Sequence, residues 1–213
     1  MKNEKRIRKA MVFTVVILAL LLTAACGVID SPFGDNVASG RLAVGEVIQF
    51  GDFDWRVLDV QGDRMLIITE YIIERRDYYH PRDEYNRTVD VTWETSAMRE
   101  YLNNEFLNTF SAADRARILE VTLTNNDNPW FGTDGGNDTT DYIFLLSVEE
   151  VVRYFGDSSR LSEGSRGTRL ADNVIYDQYD EARMTPYINS TRRWPADQWL
   201  LRTPGYTRAC SHY

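Results

Sequence analysis

Apolar and polar positions change rhythm several times along the chain, and each rhythm predicts a different element. Three apolar runs open the main body: Glu46-Val47-Ile48-Gln49-Phe50, then Phe53-Asp54-Trp55-Arg56-Val57-Leu58-Asp59-Val60, then Arg64-Met65-Leu66-Ile67-Ile68-Thr69. Gly51-Asp52 and Gly62-Asp63 separate them, and β-branched and aromatic enrichment between turn signals predicts a three-stranded antiparallel meander. The polar, tyrosine-rich stretch from Arg75 to Thr88, with Tyr78, Tyr79, His80 and Tyr85, reads as a loop. From Thr95 the spacing lengthens: Met98, Tyr101, Leu102 and Phe106 follow the period of an amphipathic helix that ends towards Phe110. Ser111, with Asp114 three places on, predicts the N-cap of a second short helix. Leu119 to Leu123 is a strand candidate, and a long loop from Asn125 to Asp141 leads into the apolar run Tyr142-Ile143-Phe144-Leu145-Leu146. Ser147 and Glu150 match a capping box, so a helix over 148–155 follows that buried strand directly. Gly156 to Asn189 is polar and weakly patterned, and Trp199-Leu200-Leu201-Arg202 precedes the turn signal Thr203-Pro204-Gly205. Meander, two or three short helices and long loops together predict an α+β domain.

A different pattern precedes the meander. Lys2, Lys5, Arg6, Arg8 and Lys9 form a basic patch before an uncharged apolar run from Ala10, the layout of a secretory signal. Thr23-Ala24-Ala25-Cys26 sets small residues before a cysteine and resembles the lipobox of bacterial lipoproteins, with Thr23 where that box prefers an aliphatic residue. The expected organisation is a signal peptide over 1–25, a lipid-anchored tether over 26–43 and a domain over 44–213. Membrane lipid is then a partner through acylated Cys26, and two or more acyl chains hold a protein far more firmly than one. Two alternatives keep the same sidedness. One is an uncleaved transmembrane anchor, since the uncharged stretch extends through Ile29 to about the 20 residues that a spanning helix needs. The other is simple secretion, and all three place the domain outside the cytoplasm.

Charge narrows the partners. Without residues 1–25, which carry five basic residues and Glu4, 19 basic residues face 31 acidic ones and the net charge moves from −8 to −12. An acidic domain lacks the basic face that nucleic acid or anionic polymers require. Every lysine lies in the first nine residues, so the cations beyond are all arginine. Cys26 and Cys210 are the only cysteines, and acylation of Cys26 leaves no intrachain disulfide.

Three blocks carry a family resemblance. Trp93-Glu94-Thr95-Ser96-Ala97-Met98-Arg99-Glu100-Tyr101-Leu102-Asn103 resembles a Trp-x-x-Ser-x-x-Arg-x-Trp-Leu-Asn helix. Thr140-Asp141-Tyr142-Ile143-Phe144-Leu145-Leu146-Ser147 resembles a Thr-Asp-Lys-x-Phe-Leu-Leu-Ser strand, and Trp199-Leu200-Leu201-Arg202-Thr203-Pro204-Gly205 a Trp-Trp-Leu-Arg-Ser-Pro-Gly signature. In this order the blocks resemble the bacterial domain of unknown function 6273, over about residues 44–206. The resemblance implies a C-type-lectin-like architecture, the superfold shared with sulfatase-modifying enzymes, but no activity. It also implies a closing hairpin with a Gly-Val-Arg-Pro motif, which does not occur after Thr203. The expectation is therefore a C-terminally truncated domain with an open sheet edge. The alternative is a short variant in which Tyr206–Tyr213 supplies the edge strand, with Tyr206, Arg208 and Cys210 on one face.

The chemistries of that superfold find little support in the residues. A copper-dependent oxidase needs paired cysteines, and Trp194-Pro195-Ala196-Asp197-Gln198-Trp199 does not match the triplets of calcium-dependent lectins. Asp134, Asn137, Asp138 and Asp141 cluster in a glycine-bearing loop without EF-hand spacing, which reads as a solvated turn, so no metal and no cofactor is assigned. His80 and His212 are the only histidines, and Cys210 with His212 has no visible third group for a triad. The leading expectation is a non-catalytic module that binds glycan or envelope protein through Trp130, Asp134, Asn137, Asp138, Trp194, Arg202 and Tyr206. The alternatives are a carboxylate-dependent cell-wall glycan hydrolase and a structural partner of envelope proteins. For Arg202 the structural counterpart is a hydrogen-bond hub, and for the loop aromatics a set of rings that pin their own loops.

Lipidation makes a direct prediction. Cys26→Ser should block processing and leave a precursor about 2 to 3 kDa heavier on a denaturing gel, whereas normal processing of the variant would refute the lipid anchor.

Overall fold

Two glycines in the left-handed region, Gly51 at φ 58° and Gly62 at φ 64°, close the turns of the opening meander in the computed structural model. It describes residues 12–13, 16–18, 42–80, 91–129, 131–156, 188–189, 192–193, 200–205 and 210–212. Gly51 also has a steric reason, because a Cβ there would lie 2.8 Å from the Phe110 ring. Within these residues the architecture is α+β, with antiparallel strand pairing throughout.

Strands β1 (Val12–Phe13) and β2 (Val16–Leu18) come first in the chain, followed by the meander β3 (Val47–Phe50), β4 (Phe53–Gln61) and β5 (Arg64–Thr69). The meander is antiparallel as expected, its register setting Ile48 opposite Trp55 and Val57 opposite Ile67, with an irregularity between Val57 and Asp59. β6 (Glu74–Arg75) then pairs with β1. After the helices come β7 (Val121–Leu123), β8 (Thr139–Asp141) and β9 (Ile143–Phe144), and the main sheet has the order β3-β4-β5-β2-β9. β2 thus lies inside the sheet, although the sequence assigns its residues to an export signal. Its uncharged, largely β-branched run supplies backbone partners to β5 on one side and β9 on the other.

The core includes both faces of β5, whose residues Met65 to Thr69 are all buried. Trp55 and Ile67 are fully buried, with Met98, Leu102 and Phe106 contributed by the helical segment. That segment begins at Ser96, whose side chain accepts from the Arg99 amide, and runs as α1 (Ala97–Tyr101), a π-helical turn (Leu102–Phe106) and a 3-10 turn (Leu107–Thr109). Phe110 ends it and stacks on Phe50 at 5.4 Å between ring centroids. Ser111 caps α2 (Ala112–Arg115) by accepting from the Asp114 amide at 3.1 Å. α3 (Val148–Phe155) has the full capping box, the Ser147 hydroxyl accepting from Glu150 N at 3.2 Å and Ser147 N donating to Glu150 Oε2 at 2.8 Å.

The tyrosine-rich loop is partly core. Tyr78 is buried, its hydroxyl donates to the Arg202 carbonyl at 3.5 Å, and its ring meets that of Tyr79 edge-on at 5.5 Å between centroids. Of the last elements, β10 (Ile188–Asn189) pairs with β11 (Arg192–Arg193), and β12 (Leu200–Pro204) with β13 (Cys210–His212). β12 is buried and joins the segment leading into α3 through Arg202 N to Leu146 O at 3.0 Å and Val148 N to Thr203 Oγ1 at 3.0 Å.

The capping box generates a graded prediction. Ser147→Ala should cost about 0.5–2 kcal/mol in urea unfolding. Glu150→Ala should cost more, because Glu150 also receives the buried Arg202 guanidinium.

Candidate functional site

The polar residues of the first two sequence blocks meet around one carboxylate. Asp141, whose side chain is 0% exposed, accepts from the Trp93 indole at 2.9 Å, from Thr139 Oγ1 at 2.8 Å and from Arg99 Nε at 2.7 Å. The other Arg99 nitrogens donate to the carbonyls of Glu94 and Thr140, each at 3.3 Å. Asn103, in the widened π turn, completes the join between helix and strand. Its Nδ2 donates to the Ile143 carbonyl at 2.9 Å, and its Oδ1 accepts from Tyr142 N at 2.8 Å and Ile143 N at 3.2 Å.

Over this network opens a cleft of about 380 Å³. Its floor is Arg99, Asn103 and Asp141, and its walls include His80, Glu94, Glu100 and Tyr142. Glu100 is 65% exposed and stands 3.4 Å from His80 Nε2, while Glu94 is held by Asn137 Nδ2 at 3.0 Å. The lining is thus a set of anchored donors and acceptors beside one aromatic ring. Elsewhere, Tyr101 lies under the Arg76 guanidinium at 3.4 Å, and its phenol is pushed up to about 12 by burial and by its hydrogen bond with Glu74. Burial raises the Tyr154 phenol and lowers Arg117.

Of the residues singled out in the sequence, Cys26, Trp130, Trp194 and Tyr206 lie outside the described residues. Asp134, Asn137 and Asp138 are exposed and organise their own loop. Asp134 Oδ1 accepts from Gly136 N at 2.9 Å, and Asp138 Oδ1 from Asn125 N at 3.3 Å. Gly135 is packed so tightly that a Cβ would run into the carbonyls of Asn125 and Asn126. Only Asn137 reaches the cleft, through Glu94. Asn128 Nδ2 donates to the Pro204 carbonyl at 2.7 Å, which brings the chain flanking Trp130 to the end of β12, just before Tyr206. No group of three or more His, Cys, Asp or Glu side chains is placed to hold a metal ion among the described residues.

Arg202 does not line the cleft. It is 5% exposed, pairs with both oxygens of Glu150, donates to the Leu145 carbonyl at 2.9 Å and leaves its Nε buried without a partner. The cleft residues that sequence reasoning did not single out as a site, Glu94, Arg99, Glu100 and Asn103, all stand inside the Trp93–Asn103 block. That block was the available signal.

Among known proteins, the family model described as a domain of unknown function (DUF6273) matches residues 62–213. None of the curated proteins and none of the solved structures matches the chain.

Asp141→Ala should destabilise the protein by about 3 kcal/mol in urea unfolding, the low end for one half of a buried ion pair, because Arg99 at 28% exposure can still find water. Glu100→Ala, on the solvent side of the same cleft, should stay within about 0.5 kcal/mol of the parent.

Proposed function

The chain belongs to the domain of unknown function 6273 family, and since that membership assigns no chemistry, we propose from the geometry that it is a non-catalytic glycan-binding module. In this reading the domain has a C-type-lectin-like architecture, stands on the outer side of a bacterial membrane and is held there by lipid on Cys26. Its ligand enters the cleft above Arg99 and Asp141, and Trp130, Trp194 and Tyr206 are the aromatic residues expected to contribute ring contacts to it. Asn137 stiffens the Glu94 wall, while Asp134 and Asp138 shape the loop behind it.

The observation that carries the reading is the saturation of the cleft floor. Asp141 already accepts three hydrogen bonds and Asn103 is engaged at both ends, so the floor is rigid and its carboxylate is committed. General base catalysis needs a carboxylate within reach of a proton and free to take it. Anchored donors and acceptors beside a ring, as at Glu94, Glu100, His80 and Tyr142, instead suit the hydroxyls and apolar face of a sugar.

The test is binding of cell-wall glycan fragments to the detergent-extracted lipoprotein. Glu100→Ala and Trp130→Ala should each weaken binding about tenfold, as expected from the loss of one hydrogen bond to a charged group or one ring contact, with unfolding unchanged. Absence of glycan binding, or binding indifferent to both variants, would overturn the proposal. Release of reducing sugar by the protein would favour a hydrolase instead.

A further inference from the structure

The sheet order places β2 between β5 and β9 and antiparallel to both, so β5 and β9 run parallel with one strand's place between them. Ile17 is the register partner of Ile67 on one wall and of Ile143 on the other. β1 pairs further along, Val12 opposite Arg75 and Phe13 opposite Glu74, while Val16–Leu18 lie opposite Ile68 to Leu66. The walls are apolar and buried: Leu66, Ile67 and Ile68 from β5, Ile143 and Phe144 from β9. Asn103 already binds both the N–H and the carbonyl of Ile143, which leaves the opposite edge of β9 as the one that faces the gap.

The occupant of this gap is a segment that export processing would remove. We propose that the space between β5 and β9 is a strand-acceptor slot, which in the processed protein takes an extended, uncharged, β-branched-rich strand of a partner polypeptide, antiparallel to β5. The chain's own Val16–Leu18 shows the chemistry that fits, since the whole run from Ala10 to Ile29 is uncharged and rich in aliphatic residues. Unfilled, the slot would leave two rows of backbone donors and acceptors without partners over an apolar floor, the condition that drives strand addition. A second processed copy no longer carries this segment. Among the described residues β7 pairs with β8, β10 with β11 and β12 with β13, while β6, the partner of β1, is the charged pair Glu74-Arg75 and does not match an uncharged slot. The proposal rests on the export reading, by which residues 1–25 are removed.

Register-specific disulfide trapping tests it on the processed lipoprotein in detergent, in a Cys210→Ser background. The probe is a peptide of residues 12–20 carrying Ile17→Cys. Directly opposed antiparallel residues have Cα atoms about 4.5–5.5 Å apart, within the span of a disulfide. Ile67→Cys should therefore trap the peptide at least tenfold faster than Arg64→Cys, which lies on the same strand but out of register. Ile143→Cys on the opposite wall repeats the test should the Ile67 variant fail to fold. Equal trapping at 64 and 67, or none at 67 and 143, would overturn the slot. An intact mass that retains residues 1–25 would overturn the partner strand by a different route, through failure of the export reading, and an Ile17→Cys/Ile67→Cys pair would then close within one chain.

Discussion

A carboxylate with no exposed surface has to be compensated, and the fold around Asp141 is arranged to do so. Taking such a group out of water costs several kcal/mol even after relaxation. Each hydrogen bond to a charged group returns about 1.5–3 kcal/mol, so the bonds from Trp93, Thr139 and Arg99 are of the size needed to offset that cost. They come from the turn before α1, from α1 itself and from the strand that Asp141 occupies. Removing the carboxylate therefore loosens a junction between helix and sheet, and the helical segment held there carries the buried core side chains Met98 and Leu102.

Arg202 and Glu150 repeat the principle beyond the other end of the run from Asp141 to Ser147. Glu150 binds the Ser147 amide as half of a capping box and the Arg202 guanidinium as an ion partner, so one side chain starts α3 and fastens β12. Thr203 accepts from Val148 N and Asn128 donates to Pro204, which draws the 125–138 loop to the same place. The two locks share the run from Asp141 to Ser147. Together they explain why Trp93, Arg99, Asn103, Asp141 and Arg202 hold fixed places in the three family blocks.

The polar residues of the blocks divide into those buried in the domain and those at its surface. Trp93, Arg99, Asn103, Asp141 and Arg202 are engaged with one another or with the backbone. Above them Glu94 holds Asn137 at 3.0 Å, and Glu100, 65% exposed, stands 3.4 Å from His80. A cleft built on a rigid polar floor keeps its shape while its rim varies, which suits recognition by hydrogen bonding.

Local chemistry along the chain determined the meander, its glycine turns, the Ser96 to Phe110 helical segment, the Ser111 cap and the Ser147–Glu150 box, because each of these signals acts within a hairpin or a helical turn. The family blocks were legible too, and they contain the cleft floor. What the blocks do was not legible. Trp93 and Asp141 are 48 residues apart and Arg99 and Asp141 are 42 apart, and no periodicity reports a contact over such a distance. The same holds for Tyr78, whose loop composition suggests exposure until the Arg202 carbonyl and the core give it a buried place. It holds most clearly for Val16–Leu18, because an uncharged β-branched run serves equally as the apolar part of a leader or as a sheet strand. Only the two edges of β5 and β9, brought together by tertiary packing, decide that it pairs as a strand here.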